Sequence, residues 1–564
     1  MTPVPRARIL GVVAIAAIAL AYALPLESVG CAQNSHYAAI RSFAFGVPYI
    51  DSFAQTTCDL VYTNGHYYAA KAPAMDFWTA PWYRLLHKVG AVPPDLNQKA
   101  GYPAAMLGVP QRAIWEMTLW AVVLPAIALL LLVWRTVERI EPGLGIASAA
   151  ILGLGTLVFP FSALLFAHVP AALFAFLSFA LLFDRPRASP WRVAAAGAAA
   201  GLAASTDLPF AVPAVALGLY AAWRHPRVQR LLAFAAGGVV GLIPVLGFNA
   251  WAFGNPFHLA YSGVALNPGA GGVDQSSGDS GFFTLHLPSF RVALELLLSQ
   301  RGLFVLTPVV ACGIAGCVLL WRRGYRAEAV LISALSVVEV AWNSGHNGLY
   351  MSLGGFVPGP RFLIALLPFL CFALAPVLRR APATVGVLAF ISIASMTVAT
   401  SAEPLLGSDD TRHWLSRIAD GNFTNTIVSL GGVGHGWIAI LPFYAAVLVA
   451  VVAVVAATSL PLERRDVLRA GLALVAWLLV EHSVPQLLRI DRAVGQYWGI
   501  VAAILVVAAA VWSVVQLRPE GLIPLLPLAT VHVASHTKVG LLLGLLALAA
   551  LVLTPRLRRV PGPA

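Results

Sequence analysis

The chain has 564 residues, 59% of them hydrophobic and only 11% charged, with a mean hydropathy of +0.81. Those values lie outside the soluble multidomain class and make the bilayer the solvent. The formal charge of +12 is spread over short loops between apolar runs, so it reports orientation against anionic inner-leaflet lipids and excludes a nucleic-acid partner.

Apolar runs near or above the roughly 17–25 residues needed to cross hydrocarbon recur from end to end. They predict an all-α integral membrane protein, a polytopic helical bundle of about 14 (12–16) spans. The first run, Ile9–Leu24, follows Arg6 and Arg8 and carries Ala-Tyr-Ala at 21–23, a weak cleavage signature. Because Leu24 and Pro25 follow and the whole chain is membranous, a retained anchor is expected rather than a signal peptide. With a cytoplasmic N-terminus, Arg135/Arg139, Arg185/Arg187/Arg192, Arg224/Arg227/Arg230, Arg322/Arg323/Arg326, Arg379/Arg380, Arg464/Arg465/Arg469, Arg518 and Arg556/Arg558/Arg559 all fall inside. The polar loops 25–112, 250–302, 344–361 and 403–436 then face outward, and chemistry should face outward with them. The chain divides into 1–134 (first span, outward catalytic loop, second span), 135–380 (the remaining spans of that module) and 381–564 (a C-terminal membrane region of unknown role).

In the first loop, His36–Phe45 and Phe77–Val89 have the mixed polarity of helices lying in the membrane interface, with Trp78, Trp82 and Tyr83 suited to the headgroup belt. Gly46, Pro48, Asn64-Gly65 and Pro73 break the intervening stretch into turns, so Asp51, Asp59, His66, Tyr67, Tyr68 and Lys71 are expected on ordered loop. Two carboxylates, a histidine, paired tyrosines and a lysine make an acid–base site. An Asp can deprotonate an acceptor hydroxyl, His or Lys can neutralise a phosphate, and aromatic faces stack on sugars. The bland alternative is that any long loop contains acids and that lysines and tyrosines anchor at headgroups. Cys31 and Cys58 share this loop, where an oxidising exterior would join them; two unpaired small residues is the competing reading.

Further on, Asn267–Gly281 is flexible by composition and Pro288–Gln300 reads as an amphipathic helix, together suggesting a lid. Asp207, in Ser-Thr-Asp-Leu-Pro, is an ionisable residue at an interrupted helix end and therefore a candidate substrate or phosphate contact; Glu116 and Glu339 also lie at or within membrane edges. The turn-rich segment Trp342–Arg361 ends at a lone arginine, and Arg361 beside Gly-rich backbone can bind phosphate with His346 and Tyr350 as recognition groups. No HExxH, CxxC pair or Walker-type loop is present, while a divalent metal at Asp51 or Asp59 stays open.

These stretches resemble a bacterial family of multi-span proteins in the GT-C glycosyltransferase superfamily, related to lipid-phosphate-sugar-dependent mannosyl- and aminoarabinosyltransferases. The resemblance covers about residues 1–380 through Asn34-Ser-His-Tyr37, Tyr49-Ile-Asp51, Gly65-His-Tyr-Tyr68 with Lys71-Ala-Pro73, Gly254-Asn-Pro256, Ser299-Gln-Arg-Gly-Leu-Phe304 with Pro308, and Gly359-Pro-Arg-Phe362. It implies a first outward loop with two juxtamembrane helices and a catalytic acid, an outward donor cavity, a polyprenyl-phosphate-linked sugar as donor, and Arg301 among the substrate- or phosphate-binding residues. Where the family has Ser-Asp-Lys-Ala-Pro-Gly, this chain has Ala69-Ala-Lys-Ala-Pro-Ala74, and the adjacent acidic pair of better-studied relatives is absent. The expected base is therefore Asp51, with Asp59 second. The implied function is an inverting transferase in a bacterial cytoplasmic membrane, serving a lipid, glycan or protein acceptor. A transporter or flippase of a lipid-linked sugar and a non-catalytic envelope-assembly scaffold are the alternatives.

Overall fold

The computed structural model of the chain describes residues 6–28, 30–54, 56–57, 59–92, 111–185, 188–258, 264–265, 287–345, 357–405, 412–458 and 460–489. Among the described residues, seven helices are long and apolar enough to cross a membrane: Arg6–Ala23, Gln111–Val137, Val228–Phe253, Arg326–Gly345, Arg361–Arg380, Pro382–Ala402 and Trp437–Ala457. A bent pair, Phe290–Leu306 and Val310–Arg322, meets at 89° and makes an eighth if counted as one span. The protein is a polytopic helical membrane protein. Three shorter apolar helices, Gly145–Leu154, His168–Leu182 and Leu208–Arg224, join the bundle. They are short because Gly155 and Pro160 interrupt one apolar run and Asp207 with Pro209 interrupts another. Apolar sequence counted toward the expected 14 spans continues through 490–564, outside the described residues.

Within lipid, association comes from close packing, and glycines set it. Gly197 and Gly201 of helix Pro190–Thr206 face Gly237 and Gly241 of helix Val228–Phe253, each pair four residues apart. A Cβ at Gly197 would lie 1.9 Å from the Phe234 carbonyl oxygen, and one at Gly237 1.9 Å from that of Ala194. Gly316 meets the Ala373 carbonyl in the same way, at 1.8 Å, locking Val310–Arg322 against Leu367–Arg380. That last helix is buried along nearly all its length; its Phe369 and Phe372 interlock with Phe176, Phe179 and Phe183.

At one end of the bundle Glu141 is gripped by Arg323 and by Arg379, the latter at 3.0 Å. Nearby Asp466 accepts from the Ala383 and Thr384 amides and the Thr384 hydroxyl, capping helix Pro382–Ala402 from outside.

The other end carries the first loop. Helices Cys31–Ala44 and Ala74–Lys88 stand where juxtamembrane helices are expected. Phe43 stacks on Phe77 at 4.7 Å, and both rings reach Phe248 and Trp251, pinning the loop to helix Val228–Phe253. Between the two helices the structure departs from the ordered loop expected: Leu60–Thr63 and His66–Ala69 form an antiparallel hairpin, and Val264–Ala265 adds a third strand on its edge. Asn64 and Gly65 turn it with φ of +51° and +84°, the left-handed conformation that a two-residue hairpin requires. The amphipathic helix of the second outward loop is present as Phe290–Leu298, whereas the flexible tract 267–281 lies outside the described residues.

Candidate functional site

The hairpin divides the sequence cluster in two. At its turn end, Asp51 accepts the Tyr67 amide on Oδ1 at 2.7 Å and holds His66 Nδ1 on Oδ2 at 2.6 Å. Tyr49 stacks flat on the His66 ring with centroids 4.0 Å apart. With Nδ1–H committed to the carboxylate, His66 Nε2 is an acceptor in the neutral ring. The pair is open to solvent, with Asp51 37% and His66 42% exposed, so a hydroxyl-bearing substrate can reach it. Tyr68 points the opposite way; its hydroxyl donates to the Ala252 carbonyl at 3.3 Å, and burial, then Asp51, pushes it above the ordinary phenol range.

At the base of the hairpin Lys71 forms an ion pair with Asp59. Asp59 is fixed through its backbone by the Ser35 hydroxyl, the Ala70 amide and the Thr57 hydroxyl. Beneath lies a wholly buried pair, His36 Nδ1 and Asp76 at 2.8 Å, joining the two juxtamembrane helices. Burial pushes the Asp76 carboxyl above its ordinary range against the pull of His36 and Lys71. Asp51 is bonded at the His66–Tyr67 start of the second strand and Lys71 follows its end at Ala69, so the two sit at separate ends of one platform.

A third group joins from the spans. His168 opens helix His168–Leu182, and its Nδ1 is hydrogen-bonded to Asp207, which ends helix Pro190–Thr206. Arg361 lies against Phe166 and Phe362, 5.5 and 4.9 Å from their ring centroids, and those two rings also flank His168. Arg361 and Lys71 are both within electrostatic reach of His168 and Asp207, and Glu339 is within reach of Asp207. Two cations from distant parts of the chain thus contribute to the field at one acid–imidazole pair. Cations so arranged can hold an anion such as a phosphate.

The remaining predicted residues are less central. Arg301 is buried and donates from Nη1 to the Val357 carbonyl at 2.7 Å, bracing the segment that leads to Arg361. His346 and Tyr350 lie outside the described residues. Cys31 is disulfide-bonded and Cys58 is outside the described residues. Cys312, Cys317 and Cys371 are free and buried. Among the described residues no three His, Cys, Asp or Glu side chains gather as a metal site.

His168 and the His36–Asp76 pair escaped the sequence reading. The only local signal was a histidine interrupting an apolar run, and its partner lies 39 residues away.

No family model matches the chain, and no curated protein matches it. Among solved structures, it is similar to the crystal structure of ArnT from Cupriavidus metallidurans bound to undecaprenyl phosphate. Identity is 16% and the TM-score 0.42, over 92% of this chain and 80% of that one.

Proposed function

We propose that the protein is an inverting GT-C-type glycosyltransferase that moves a sugar from a polyprenyl-phosphate carrier to an outward-facing hydroxyl of a lipid, glycan or protein. Its place would be a bacterial cytoplasmic membrane. The observation that carries this reading is the convergence of Lys71 and Arg361 on the His168–Asp207 pair, beside a platform that presents an exposed Asp51–His66 dyad.

In the step envisaged, Asp51 takes the proton of the acceptor hydroxyl, with His66 tuning the carboxylate through their hydrogen bond. The hydroxyl oxygen bonds to the anomeric carbon from one side as the bond to the phosphate oxygen breaks on the other. The electron pair leaves with the phosphate, whose growing charge Lys71 and Arg361 meet. Asp51 and Lys71 stand at opposite ends of the hairpin, which suits a row of hydroxyl, sugar and phosphate between base and cation. Asp59 acts on Lys71, holding its ammonium, rather than on substrate.

The test uses purified protein with labelled polyprenyl-phosphate sugars and a membrane extract as acceptor source. Transfer by the unmodified chain and its loss in Asp51→Asn support the reading. Transfer that survives both Asp51→Asn and Asp59→Asn removes the assigned base. Movement of the lipid across vesicles without transfer replaces the enzyme with a flippase.

A further inference from the structure

His168 is 5% exposed, and its Nε2 has no hydrogen-bond partner among the described residues. The same holds for Oε1 of Glu339, which is 1% exposed; its other oxygen has only the Asn343 amide at 3.5 Å. An unpaired buried acceptor is costly and is kept where something else pairs with it. Asp207 fixes the ring: with Nδ1–H given to the carboxylate, Nε2 presents a lone pair. The surroundings select the partner. Lys71 and Arg361 favour an anion close by, and the Phe166 and Phe362 rings that flank His168 keep water from pairing with it cheaply.

We propose that His168 forms part of a sugar subsite for the donor, in which a ring hydroxyl donates to His168 Nε2 while Lys71 and Arg361 hold the phosphate. This rests on the transferase reading and makes His168 a specificity-determining residue, oriented by Asp207 acting as a positioning residue. Binding energy at Nε2 would then depend on the sugar being present, because the lipid phosphate alone has no hydroxyl to offer there. Such sites discriminate strongly, since a ligand lacking the hydroxyl leaves the acceptor unpaired.

The experiment measures equilibrium binding, in detergent, of two probes: a polyprenyl phosphate, and the same lipid phosphate carrying a hexose. The proteins are the unmodified chain, His168→Ala, His168→Gln and Lys71→Ala. His168→Ala is expected to weaken the hexosyl lipid by about tenfold and the sugar-free lipid by less than about twofold. His168→Gln, whose amide oxygen can accept, recovers part of the loss, and Lys71→Ala weakens both probes alike. Equal weakening of both probes by His168→Ala, or of neither, overturns the subsite while leaving the transferase reading in place. An unmodified chain that binds neither probe overturns both. If His168→Ala does not fold, Asp207→Asn, checked by thermal unfolding, takes its place: loss of the orienting carboxylate should weaken the hexosyl lipid more than the sugar-free lipid, and equal weakening overturns the subsite.

Discussion

The two polar centres of this molecule are built on opposite terms. At the arginine end, both Glu141 oxygens are occupied, one by Arg323 and the other by Arg379, and Asp466 spends its carboxylate on a helix terminus. At the hairpin end, His168 and Glu339 each keep a buried acceptor without a partner among the described residues, and Asp51 with His66 stays open to solvent. A saturated centre holds helices together; one with unpaired buried acceptors has capacity left for a ligand.

The sharpest break of this contrast is Asp51→Asn. Removing a general base should reduce sugar transfer by about 100-fold or more with unfolding temperature unchanged, measured by initial rates and by thermal unfolding of the same preparation. A matching loss of stability would move Asp51 into the structural class.

Next in size is Gly237→Val, which drives a side chain into the Ala194 carbonyl. It should cost about 1–3 kcal/mol in detergent unfolding and lower activity as well, because the crowded helix leads to Asp207.

Glu141→Leu should cost less, about 1–2 kcal/mol, since both arginines can turn toward water once released. Its transfer rate at a temperature where it is folded should match that of the unmodified chain, and a specific rate defect would erase the distinction between the two ends.

The smallest effect belongs to Asn64→Ala at φ +51°. About 1 kcal/mol of local strain should appear as faster amide exchange across His66–Ala69, with the rest of the bundle unaffected.

Much of this was legible in the sequence, and the exceptions share a cause. Amphipathic pattern located the helices Cys31–Ala44, Ala74–Lys88 and Phe290–Leu298, because facing one side to water and one to lipid leaves a local trace. Asn64-Gly65 was read as a turn, yet the strands beside it were not, although Leu-Val-Tyr-Thr before it and His-Tyr-Tyr-Ala after it are strand-forming types. Asp51 and Lys71, in one loop of the sequence, stand at opposite ends of the hairpin, while Lys71 and Arg361, far apart in sequence, act on the same His168–Asp207 pair. Helix packing sets that pairing, and packing register leaves no local signature. The glycine spacing at 197/201 and 237/241 is visible in the letters, but which face meets which is decided only in three dimensions.

The glycine seam between helices Pro190–Thr206 and Val228–Phe253 also works as a ruler. Backbone rests on backbone there, so no side chain can flex to absorb an error. Inserting one residue between Gly201 and Asp207 would lift the carboxylate by about 1.5 Å and swing it by about 100° away from His168. The height and bearing of the acid are thus graduated in whole residues from a fixed zero, and only a paired insertion and deletion across the seam could reset the scale.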